Sequence, residues 1–99
     1  MRTTDTQIKI ADVVTSLNGR DAGKRFLVLE TQGEYSFIAD GKGRKAGKPK
    51  KKKNKHLIPE DEIGPPIAAK ILGGEKVTNN EIRRALAQFA TAQGERGGI

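Results

Sequence analysis

Ninety-nine residues at 10.7 kDa suffice for one small domain, with 19 Lys+Arg against 12 Asp+Glu, a formal charge of +7 and a pI near 9.9. Cysteine is absent, which excludes disulfide scaffolds, thiolate zinc sites and cysteine nucleophiles, and a single histidine leaves little for a metal site or a His-based catalytic pair. The longest wholly apolar run, Phe26 to Leu29, is far short of a membrane span or signal-peptide core, so a soluble, cytoplasmic protein is expected.

Ile, Leu, Val and Phe make up 22 of the 99 residues, enough for a thin core. Residues 1–6 show no apolar pattern and read as a flexible N-terminus. From Ile8 to Ala39 the pattern is β-like. Ile10 to Leu17 is apolar and β-branched, residues 18–23 read as a turn, Phe26 to Leu29 as the next strand, residues 31–34 as a second turn, and Tyr35 to Ala39 as a third strand. Gly23 and Gly33 fall where tight reversals favour positive φ. Residues 26–29 are apolar at every position, which calls for cover on both faces: a barrel interior on one, the C-terminal helix on the other.

Asp40 to Asn54 reads as a charged connection, and His56-Leu57-Ile58 as a short closing strand stopped by Pro59. Pro65-Pro66 opens a short helix through Ile67, Ala68, Ile71 and Leu72, ended by Gly73-Gly74. Thr78 and Glu81 fit a capping box, with Val77 and Ile82 placed for a hydrophobic staple. Ile82, Ala85, Leu86, Phe89 and Ala90 then form one apolar helical stripe, read as a packing face, with Gly94 ending the helix. Residues 94–99 read as a flexible tail.

The positive charge is local. Lys42, Arg44, Lys45, Lys48, Lys50, Lys51, Lys52, Lys53 and Lys55 fall in one window that holds no acid, while the rest of the chain carries ten basic and twelve acidic residues. Like charges this close repel, and a polyanionic partner supplies the reason to concentrate them. Residues 41–46 formally match the dinucleotide fingerprint G-x-G-x-x-A. A lysine run containing Pro49 follows instead of a helix, so no helix N-terminus is available for a pyrophosphate. Gly47-Lys48 lacks the following Ser or Thr of a phosphate loop. Glu60, Asp61 and Glu62 are adjacent and read as solvated charge, not a catalytic pair. The chain is read as a non-enzyme without cofactor, metal or small-molecule substrate.

The stretch Asp12 to Glu30, with Gly23 in the loop between two apolar strands, Gly19-Arg20-Asp21 before it and Lys24-Arg25 after it, resembles a KOW motif. Ile38-Ala39-Asp40-Gly41-Lys42, Pro49 with its lysines, His56-Leu57 and the helical stretch Val77 to Arg83 extend the likeness to the small bacterial KOW-domain RNA-binding proteins. These are similar to KOW-containing large-subunit ribosomal proteins of archaea and eukaryotes. The resemblance covers residues 8 to 90 and departs at Ala11-Asp12, where a residue such as Gly is expected.

It implies a mainly β fold: an SH3-like KOW β-barrel over residues 7–59 with a basic loop at 41–55, then a helical C-terminal extension over 60–93. It also implies contact with structured RNA, ribosomal RNA foremost, by a protein monomeric when free. Asn18, Gly19, Arg20, Gly23, Lys24 and Arg25 of the first hairpin and the nine basic residues of the 42–55 window are the expected RNA contacts, forming one cationic rim. His56 reads as a barrel-edge side chain or as a base or phosphate contact. Asp21 is read as capping the turn or orienting Arg20. Of the aromatics, Phe26, Tyr35, Phe37 and Phe89, most are expected in the core, which favours recognition by shape and phosphate contacts. A protein-binding KOW module using the helix stripe or barrel edge is the alternative; lipid attachment lacks an amphipathic or lipidated segment.

Overall fold

The computed structural model describes residues 7–92, so the expectations for residues 1–6, for Gly94 and for the tail lie outside the described residues. Five strands form one antiparallel sheet: β1 (Asp12–Ser16), β2 (Arg25–Gln32), β3 (Tyr35–Ala39), β4 (Lys50–Lys53) and β5 (Leu57–Glu62), in the order β4-β3-β2-β1-β5. Two helices follow, α1 (Ile67–Leu72) and α2 (Asn79–Ala92). The fold is therefore mainly β with C-terminal helices, as expected. The sheet is open, however: β4 and β5 are its two edges, and no pairing between them closes a barrel among the described residues. Both edges have a physical reason to stay single. Four lysines repel a further strand, and Pro59 cannot donate to one.

Successive side chains of a strand point to opposite faces, and here each face of the central strands carries a core cluster. Val13, Leu27 and Ala39 join Ile63, Ala68, Ile71, Ile82, Ala85 and Phe89 in a cluster that seats the helices on the sheet. Val14, Phe26, Val28 and Ile38 project the other way and pack with Ile8 and Leu57. The uninterrupted apolar text of β2 is thus explained by two separate cores.

The helix signals read from sequence hold at atomic level. The Thr78 N–H donates to Glu81 Oε1 at 2.9 Å, and the Glu81 N–H donates to Thr78 Oγ1 at 3.1 Å, satisfying donors that a helix start leaves orphaned. The same Glu81 carboxylate takes a hydrogen bond from Lys70 Nζ at 2.5 Å, tying α1 to α2. That bond holds the Glu81 carboxyl below its ordinary range, the Thr78 N–H adding to the effect, and raises the Lys70 ammonium above its own.

Three segments differ from the sequence reading. Lys50–Lys53 is a strand, paired with Tyr35–Ile38, where a loop is expected; lysine has low β-propensity, and long-range pairing decides the matter. β5 runs through Pro59 to Glu62, because an edge position needs no N–H from proline, so the boundary drawn at residue 59 falls inside a strand. His56 belongs to a single 3-10 turn, Asn54–His56, that carries the chain from β4 to β5. The departure at Ala11 also acquires a meaning. The Asp12 N–H donates to the Lys9 carbonyl, closing a tight turn in which Ala11 has φ +75°, the only positive φ outside glycine among the described residues.

Candidate nucleic-acid interface

The first hairpin loop is built by ladder continuation on both sides of a 3-10 turn at Gly19–Asp21. The Ser16 carbonyl accepts from the Gly23 N–H and the Ser16 N–H donates to the Lys24 carbonyl, which holds residues 17–23 as a closed excursion. Gly23 has φ +83° with no atom near the place of a Cβ, so the turn itself requires glycine there, as read from sequence.

Two contacts bind this loop to the basic window. Arg44 donates through Nη2 and Nε to Asp21 Oδ2 at 2.9 and 3.2 Å, and Lys52 Nζ donates to the Asn18 carbonyl at 3.2 Å. A third joins the turn after β4, where the Leu17 N–H donates to the His56 carbonyl. Residues far apart in sequence (18–21, 44, 52 and 56) therefore meet at one end of the sheet. Asp21 is buried and pairs with Arg44, a tie between loops in place of the turn cap or the orienting of Arg20 that the sequence suggested.

The 40–49 segment is folded as well. Asp40 Oδ1 accepts from the N–H groups of Lys42 and Arg44, Asn79 Oδ1 accepts from the Ala46 N–H at 2.7 Å, and Arg83 Nη1 donates to the Gly41 carbonyl at 2.5 Å. Gly41 is buried with φ +79°, pressed on the Asn79 carbonyl. Beyond β4, Asn54 accepts from the Ser36 hydroxyl at 2.6 Å and donates to the Gly33 carbonyl. Asn54, Asn79 and Arg83 thus position the basic segment without entering the expected set. Their partners lie 18 or more residues away in sequence for every one of these contacts, beyond the range of any local pattern.

On this frame Arg20, Lys24, Lys42, Lys45, Lys48, Lys50, Lys51 and Lys55 are exposed, while Lys52 and Lys53 are half-buried. Arg25 stands apart: its Nε donates to Glu60 at 2.9 Å and its guanidinium lies 5.6 Å from the Phe89 ring centroid. The Thr15 hydroxyl donates to the same Glu60 oxygen. Glu60, read as solvated charge, is therefore the anchor of an internal network, and Arg25 fastens the sheet to α2. Of the aromatics only Phe26 and Phe89 are core residues; Tyr35 and Phe37 are half-buried and outside both clusters, contrary to expectation.

Comparison with known protein families and with curated proteins finds no match to this chain. No described helix is long and apolar enough to cross a membrane.

Proposed function

We propose that this protein is a KOW-type, SH3-like RNA-binding module that contacts structured RNA, ribosomal RNA foremost, through the merged surface of the 18–24 loop and the 42–55 segment. The observation that carries the reading is the pair of ties, Arg44 to Asp21 and Lys52 to Asn18, which bring two separate basic stretches together at one end of the sheet. A lysine edge also discourages unwanted strand pairing. That service is confined to β4 and does not account for Lys42, Lys45, Lys48 and Lys55, whereas a run of phosphates engages them all. The SH3-like reading draws support from the meander β1 to β4, the single 3-10 turn after it, and the return of β5 beside β1.

The alternative, a protein-binding module, keeps the sheet edge as its contact, since Ile82, Ala85 and Phe89 of the α2 stripe are already buried against the sheet. The test is charge reversal of Lys50 to Lys53 to glutamate, read by binding to ribosomal RNA fragments in dilute salt. The expected outcome is about a hundredfold loss or more with an unchanged circular dichroism spectrum. Undiminished binding refutes the reading.

A further inference from the structure

The two aromatic rings that escape the cores stand side by side. Tyr35 and Phe37 occupy alternate positions of β3, so both leave the sheet on one face. The register sets Lys53 opposite Tyr35 and Lys51 opposite Phe37, and the Lys51 ammonium lies 4.6 Å from the Tyr35 ring centroid. Alternation sends Lys50 and Lys52 to the opposite face, where Lys52 reaches Asn18. β4 thus divides its charge between the loop surface and an aromatic surface.

We propose that Tyr35 and Phe37, flanked by Lys51 and Lys53, form a stacking site for unpaired bases of the bound RNA. The inference rests on the RNA-binding reading and narrows its ligand to RNA in which single-stranded nucleotides adjoin a helical element. Phosphate contacts alone need no rings. Packing beneath lysine stems is satisfied by any aliphatic residue, so it does not call for two rings in register with two ammonium groups. A π-face with a cation poised over it accepts a base of any identity, and the displaced ammonium is left free to meet a phosphate.

Tyr35 is the only tyrosine and tryptophan is absent, so the tyrosine fluorescence lifetime of the full chain reports on this ring alone. The probes are a blunt RNA hairpin and the same hairpin with a single-stranded adenosine overhang. The overhang is expected to tighten binding about tenfold and to shorten the lifetime. Phe37→Ala is expected to remove that gain while leaving affinity for the blunt hairpin unchanged. Equal affinity for the two hairpins, or a gain without any lifetime change in the unsubstituted protein, overturns the stacking site and leaves the phosphate surface standing. Binding of neither hairpin in dilute salt overturns the RNA-binding reading itself, and the stacking site with it.

Discussion

Two glycines with nearly the same backbone angle provide a sharp test of how the basic segment is held. Gly23 and Gly41 have φ of +83° and +79°. Alanine in this region costs about 1–2 kcal/mol, of which stiffening of the unfolded chain returns about 0.4–1 kcal/mol. At Gly23, where a methyl group meets open space, Gly23→Ala is expected to cost only that difference, about 0.5–1 kcal/mol. At Gly41 a methyl group overlaps the Asn79 carbonyl and comes within 2.9 Å of Arg83 Cγ. The Asn79 carbonyl belongs to the start of α2 and cannot retreat, so the loop must lift. Lifting breaks the Arg83 to Gly41 hydrogen bond, about 1.5–3 kcal/mol for a charged donor, and the Ala46 to Asn79 bond, about 0.5–1.5 kcal/mol. Gly41→Ala is therefore expected to cost about 2.5–5.5 kcal/mol, a large part of the stability of a domain this size. Urea unfolding followed by far-ultraviolet circular dichroism measures both variants, with equal slopes confirming comparable transitions. Equal losses at the two positions refute the claim that the basic segment is docked on α2.

At Ala11, substitution by glycine relieves about 1–2 kcal/mol of left-handed strain, against about 0.8 kcal/mol for the lost buried methyl and about 0.4–1 kcal/mol of unfolded-state freedom. Ala11→Gly should accordingly leave stability within about 0.8 kcal/mol of the parent, while Ala39→Gly, in the same cluster but without that strain, should cost about 1–2 kcal/mol. The Lys70–Glu81 pair makes stability depend on pH in a defined direction. Because the folded Glu81 pKa is lowered, its contribution is complete above the ordinary value of 4.5 and vanishes as acidification passes the folded pKa. Thermal melting of the parent should fall more steeply below that pH than melting of Glu81→Gln, and parallel curves contradict the assignment. The raised Lys70 pKa places its own loss above 10.5 at the alkaline end.

The sequence was most legible where one element carries its own signal. The capping box and the α2 stripe need only residues within a turn or two of each other. The two-sided burial of Phe26 to Leu29 follows from a run with no polar gap. The expected glycine at Ala11 was a local clue as well, and it marks the site of the strained turn. What stayed hidden depends on partners distant in the chain. Lys50–Lys53 reads as a loop until β3 offers its edge and Asn54 clamps the end of the segment to Ser36 and Gly33. Asp21 and Arg44 are 23 residues apart, and Arg25 and Glu60 are 35 apart, so no motif links them. That the two basic stretches lie at one end was expected from the small-barrel resemblance, but the residues that tie them together were not.

The proposed function rests on phosphate neutralisation by residues 18–24 and 42–55, and the salt dependence of RNA affinity measures this directly. With about six lysines or arginines engaged, log K should fall against log salt with a slope of roughly −4 to −5. A slope shallower than about −2, or no binding to ribosomal RNA in dilute buffer, contradicts it.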